Sequence, residues 1–145
     1  MDKKAMYKLT YGLFVLTANE DGKDNGCIIN TAIQAAGEPN QVSISVSKKN
    51  YTQSGKDNDK FLGFDGWLRG INGVPYITES CNAYISVKVE KTVDLGSHTL
   101  FIGEVTDMEV LSEDSSVTYE FYQKNIKPKP EKVGTTPKGE TVWRC

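Results

Sequence analysis

Residues 41–47, "QVSISVS", alternate apolar and polar side chains without interruption, and such a run is stable only as a strand with one buried face. Val42, Ile44 and Val46 then share the core side, while Ser43, Ser45 and Ser47 share the other. Similar runs recur along the chain. "YGLFVLTA" (11–18) and "GCIINTAIQAA" (26–36) come before it, and "AYISVKVEKTV" (83–93) and "HTLFIGEVTDMEVL" (98–111) come after. The segments "NEDGKDN" and "GEPN" separate the first three runs and are rich in turn-forming residues, which predicts an antiparallel meander. Asp94-Leu95-Gly96-Ser97 reads as the hairpin connection between the last two. The stretch from Gln53, "QSGKDNDKFLGFDGWLRGINGVP", keeps no period and reads as loop with one short helix.

Five strands and little helix predict a mainly β protein, and closing a sheet into a small barrel is the usual way to remove its exposed edges. At 145 residues one domain is expected. An oligonucleotide-binding barrel shares this pattern, but the 17 basic residues are interspersed with 19 acidic ones. No strand presents the mixed aromatic and basic face that stacks bases, so nucleic acid is not an expected partner. No apolar stretch approaches the roughly 20 residues of a membrane crossing, and the first residues lack the apolar segment of a signal peptide. With Cys27, Cys81 and Cys145 far apart in sequence, the expectation is a soluble cytoplasmic protein with neither a disulfide framework nor a metal site.

The segments "YGLFVLTA", "NTAIQAAGEPNQVSISVSKKNYT", "SGKDNDKF" and "GSHTLFIGEV", in this order, resemble the signature segments of the flavin reductase-like, FMN-binding split-barrel family. The likeness covers about residues 5–122 and is nearest to the flavoredoxins and the flavin domains of high-molecular-weight rubredoxins. It implies a split β-barrel, Greek-key-like with few short helices. It also implies a homodimer holding one FMN per subunit near the interface, with NADH or NADPH as electron donor.

Under that resemblance Asn30, Thr31 and Gln34 supply hydrogen-bonding groups for the carbonyls and ring nitrogens of an isoalloxazine, and Ala32 lets a flat ring approach the backbone. Read alone, they are polar residues of an edge strand facing water. Ser47, Lys48, Lys49, Asn50 and Thr52 gather hydroxyl and ammonium donors where a strand ends, as a phosphate requires, and Lys49, Asn50 and Thr52 are the strongest members. Read alone, the pair of lysines is a solvated turn. Ser54, Gly55 and Lys60 in "SGKDNDKF" add backbone N–H groups and charge to the same set. His98, the only histidine, is implied to lie beside flavin and nicotinamide. Ser97 precedes it where the family commonly has aspartate, so His98 is expected to act as a neutral contact rather than a proton donor.

Two departures from the family stand out. Between Thr52 and Gln53 the family carries about forty residues of helix, strand and connection, so a segment absent from this sequence is expected there. The second departure lies beyond residue 123. Residues 124–139 hold three of the five prolines and many lysines, and read as a linker. Residues 140–145, "ETVWRC", resemble the opening of a rubredoxin domain, whose iron needs four thiolates; Cys145 supplies one.

The expected protein is therefore an FMN-dependent oxidoreductase over residues 1–123. It passes electrons from NAD(P)H to a rubredoxin-type iron centre, and onward to an acceptor such as a flavodiiron oxygen reductase. The alternatives are an FMN electron carrier reduced by another protein, and a ligand-free β-barrel used for dimerisation.

Overall fold

The structure is a computed structural model, and it describes residues 1–49 and 61–127 together with the backbone of 131–135 and 141–144. Ten strands dominate it. In chain order they are β1 (Phe14–Glu20), β2 (Lys23–Ile29), β3 (Ala32–Gly37), β4 (Asn40–Ser47), β5 (Trp67–Arg69), β6 (Pro75–Ile77), β7 (Ala83–Asp94), β8 (His98–Val110), β9 (Glu131–Thr135) and β10 (Thr141–Arg144). Among the described residues helix is confined to short segments at Lys3–Lys8, Tyr119–Phe121 and Tyr122–Ile126, and none is long and apolar enough to cross a membrane.

The β1–β2 hairpin pairs Glu20 with Lys23 around Asp21 and Gly22. Both turn residues have positive φ, 51° and 78°, the backbone that matches the right-handed twist of two paired strands and that Asp-Gly adopts readily. "NEDGKDN" is thus strand on both sides of a two-residue turn, tighter than a seven-residue loop.

The run 26–36 is not one strand. It divides into β2 and β3 at Asn30 and Thr31, where the Thr31 hydroxyl donates to the Ser45 carbonyl at 2.5 Å. Short polar side chains that bond the backbone in this way compete with ladder pairing and favour corners. β2 therefore leaves in its own hairpin, and β3 enters a second sheet.

That second sheet has the order β3-β4-β8-β7, all antiparallel. β4 and β8 are distant in sequence and lie at its centre. The alternation of "QVSISVS" is realised there, with Val42 and Val46 buried. The opposite face carries Ser43, Ser45 and Ser47, paired across the ladder with Ile102, Leu100 and His98. Gly103 opposes Val42 on one side and Val89 on the other. A β-carbon on Gly103 would lie 2.6 Å from the Lys88 carbonyl oxygen, so only glycine lets β7 pass this closely.

Residues 61–77 hold the β5–β6 hairpin rather than a helix. It joins the two larger units. Arg69 forms a two-pronged contact with Asp24 of β2, at 2.7 and 3.2 Å, and Tyr76 stacks on Tyr84 of β7 with ring centres 4.1 Å apart. Thr17 donates to the carbonyl of Pro75, a fully buried residue. Phe61, also buried, meets Trp67 edge to face. β9 and β10 pair with each other, so the proline-rich 124–139 stretch contains a strand.

Candidate functional site

The end of β4 and the start of β8 are adjacent because Ser47 and His98 form the last pair of their ladder. The β2–β3 corner closes over the same end, since the Ser45 N–H donates to the Thr31 carbonyl at 3.2 Å. Together these elements frame an open cleft of about 120 Å³ lined by Ile28, Ile29, Asn30, Thr31, Ser45, Val46, Ser47 and His98. Pockets that enclose a drug-sized ligand run to roughly 300–1,000 Å³, so this cleft has room for only one edge of such a molecule.

Its two walls differ in chemistry. Ile28 and Ile29 offer apolar surface. Asn30, Ser47 and His98 offer hydrogen-bonding groups, while the Thr31 hydroxyl is already donated to Ser45. Ser47 Oγ accepts the Lys49 N–H at 3.3 Å, which leaves its own O–H for a ligand acceptor. His98 Nδ1 lies 2.9 Å from Ser97 Oγ.

Of the residues expected at a site, the structure brings Asn30, Thr31, Ser47 and His98 together. It does not bring Ala32 and Gln34 to them. Ala32 pairs with Ile44 and Gln34 with Val42, on the valine face of the sheet, and the Gln34 amide donates to Asn40 at 3.0 Å near the β3–β4 turn. Lys48 is engaged elsewhere: its ammonium lies 2.7 Å from Asp94 Oδ1, which also accepts the Gly96 N–H at 2.7 Å. The Lys48 ammonium, aided by that N–H, holds the Asp94 carboxyl below the usual carboxylate range. Lys49 is exposed beside the cleft. Asn50, Thr52, Ser54, Gly55 and Lys60, and the junction of Thr52 with Gln53, lie outside the described residues.

Ser45 and the two isoleucines also line the cleft and were not singled out from sequence. For Ser45 the signal was present, because it alternates with Ser43 and Ser47. Nothing in the sequence marked Asp94 as the partner of Lys48.

Residues 51–129 match the flavin reductase like domain family. This chain belongs to the flavin reductase-like family. Two relatives of this family member are each 33% identical to it. One is a high molecular weight rubredoxin of Moorella thermoacetica, aligned over 95% of this chain and 70% of its own. The other is a ferric-chelate reductase (NAD(P)H) of Archaeoglobus fulgidus, aligned over 99% of this chain and 98% of its own. The alignments run over 167 and 171 positions, more than the 145 residues of this chain. Among solved structures, the flavin reductase PheA2 superposes with a TM-score of 0.63 at 28% identity, covering 81% of this chain and 93% of the other. The flavin reductase-like fold, a split β-barrel, is thereby shared.

Proposed function

We propose that this flavin reductase-like oxidoreductase binds FMN with its ring edge at the Asn30–Ser47–His98 cleft and takes electrons from NAD(P)H. The observation that carries this reading is the convergence of Asn30, Thr31, Ser47 and His98 from three separate segments into one cleft, in a chain of this family. A bound flavin accepts a hydride from a nicotinamide and releases the electrons singly, chemistry that no side chain here supplies.

The residues present fit such a ligand. Ser47 has a hydroxyl proton to give, Asn30 has both amide donors and a carbonyl acceptor, and Ile28 and Ile29 provide the apolar surface that a ring system covers. Lys49 and, by sequence, Asn50 and Thr52 follow directly at the end of β4, where a terminal phosphate is served by ammonium and hydroxyl donors. With no comparable place for an adenylate among the described residues, FMN is favoured over FAD in this reading. Extraction of the flavin from purified protein tests this, and FAD as its dominant species overturns it.

The acceptor in this reading is an iron centre. One relative is named a rubredoxin and the other a ferric-chelate reductase, and both names point to iron as the destination of the electrons. A rubredoxin-type centre, on this chain's continuation or on a separate protein, is the favoured acceptor, and a flavodiiron oxygen reductase fits as a subsequent one. NADH-driven reduction of added rubredoxin, compared with reduction of a ferric chelate, distinguishes the two kinds of iron.

A second copy of the chain pairs with the first in this account, through the sheet face that carries an exposed apolar cluster. Ile85, Val89, Met108 and Val110 share the valine face of the sheet at its β7 side, and each is more than half exposed. An apolar cluster of this kind marks an interaction surface. Sedimentation of the flavin-loaded protein at twice the monomer mass supports the dimer, and a monomer contradicts it. Alignments longer than the chain support a segment present in the relatives and absent here; its position after Thr52 is this reading's own. The free Cys81 thiol suits a reducing cytoplasm.

A further inference from the structure

We propose that Ser97 is a positioning residue that fixes the tautomer of His98, donating its hydroxyl proton to Nδ1 so that Nε2–H is the donor presented to the cleft. The inference concerns the same cleft and rests on its reading as the flavin and nicotinamide site.

Ser97 is well placed to do this because two hydrogen bonds hold its backbone and a third closes the loop around it. Its N–H donates to Leu95 O at 3.1 Å, its carbonyl accepts the Lys48 N–H at 3.0 Å, and the Leu95 N–H donates to His98 O at 2.9 Å. Gly96, at φ 79°, provides the left-handed residue that this tight loop needs. The Lys48–Asp94 ion pair then ties the loop to the end of β4. With the backbone held, the 2.9 Å Ser97 Oγ to His98 Nδ1 contact costs little further entropy to form.

A hydroxyl can donate or accept, whereas a carboxylate can only accept. An acidic residue at 97 would require a proton on Nδ1, leaving Nε2 bare or the ring charged. Serine permits the opposite tautomer. No described residue is shown bonded to Nε2, and His98 lines the cleft, so this nitrogen is the one that meets a ligand. The charged groups nearest the loop, Lys48 and Asp94, neutralise each other, and Lys49 is exposed at the strand end. Neither the β2 wall, Ile28 to Asn30, nor Ser45 and Ser47 of β4 carries a charge, so no described lining residue opposes donation from the Ser97 hydroxyl to Nδ1.

The single histidine makes the test direct. The 145-residue chain, with flavin bound and nitrogen-15 in its histidine, displays one pair of ring-nitrogen resonances by NMR. The wild type is expected to show Nε2–H, and Ser97→Thr the same. Ser97→Ala is expected to lower the ratio of Nε2–H to Nδ1–H by about twofold, because the hydroxyl bonds either tautomer and only the surplus of its O–H donation over its acceptance is lost, and Ser97→Asp to move the proton to Nδ1. Identical ring-nitrogen shifts in wild type and Ser97→Ala overturn the assignment, as does a wild type already in the Nδ1–H form. NAD(P)H kinetics of the same variants separate the two levels of the account. A changed tautomer with unchanged KM and kcat upholds Ser97 as the positioning residue, and what fails is the placement of the nicotinamide at His98.

Discussion

Ser47 and His98 face one another as the terminal pair of the β4–β8 ladder, which places a hydroxyl and an imidazole on the same side of the sheet at the mouth of the cleft. Leu100 and Ile102 continue that side along β8, two and four residues on. The histidine is thus the polar end of an apolar stripe, positioned to pack against a ligand and hydrogen-bond to it. His98→Ala is expected to slow flavin reduction by NAD(P)H about five- to tenfold, the effect of losing one hydrogen bond and its packing, while leaving the circular dichroism spectrum intact. Stopped-flow reduction rates for the two proteins check it, and equal rates return His98 to a structural role.

Adjacent lysines are expected to behave differently. Lys48 is paired with Asp94 at 2.7 Å, whereas Lys49 is exposed next to Ser47. A charge-assisted hydrogen bond to phosphate is worth about 1.5–3 kcal/mol, so Lys49→Ala should weaken FMN binding by about tenfold or more. Lys48→Ala should weaken it less, and Lys3→Ala not at all. Fluorescence titration of the three variants decides the order, and equal losses in Lys3→Ala and Lys49→Ala place the phosphate elsewhere.

Gly103→Ala should destabilise the fold by about 2 kcal/mol, because an added methyl meets backbone that cannot rotate aside. The obstacle is the Lys88 carbonyl, 2.6 Å from the site of the new carbon. A urea unfolding midpoint unchanged from wild type would show that β7 yields without cost.

Acid should loosen the β5–β6 hairpin from β2. The Arg69 guanidinium, with help from the Asn19 amide, holds the Asp24 carboxyl below its usual range. A carboxyl lowered in the folded state contributes stability above its unfolded value of about 3.9, and loses that contribution as pH falls through the lower folded value. Asp24→Asn should therefore cost about 1 kcal/mol at neutral pH and less at pH 3. Paired urea titrations of the two proteins at pH 7 and pH 3 measure this; a constant gap across both would assign the cost to packing instead.

Legibility from sequence followed the strength of periodicity. The valine alternation at 42–46 located β4, its buried face and its serine face, and the alternation of 98–102 located His98 on the same side as Leu100 and Ile102. The corner at Asn30 and Thr31 was hidden because apolar residues flank it on both sides, and its cause is a hydrogen bond from Thr31 to Ser45 across fourteen positions. β5 and β6 have three residues each, too few for an alternation to register. Ala32 and Gln34 were grouped with Asn30 and Thr31 by the family resemblance of their segment. After the corner, however, β3 directs them to the valine face. Lys48 likewise looked available for phosphate because Asp94 is forty-six positions away, a separation over which composition carries no pairing information.

The central claim, that this chain binds flavin and reduces it with NAD(P)H, is tested most directly by anaerobic absorption spectroscopy of the intact protein. The account predicts a yellow FMN complex whose visible flavin band bleaches on addition of NADH or NADPH and returns on admission of an iron acceptor. A protein that takes up no flavin, or one whose bound flavin keeps its colour in excess of both nicotinamides, would contradict it.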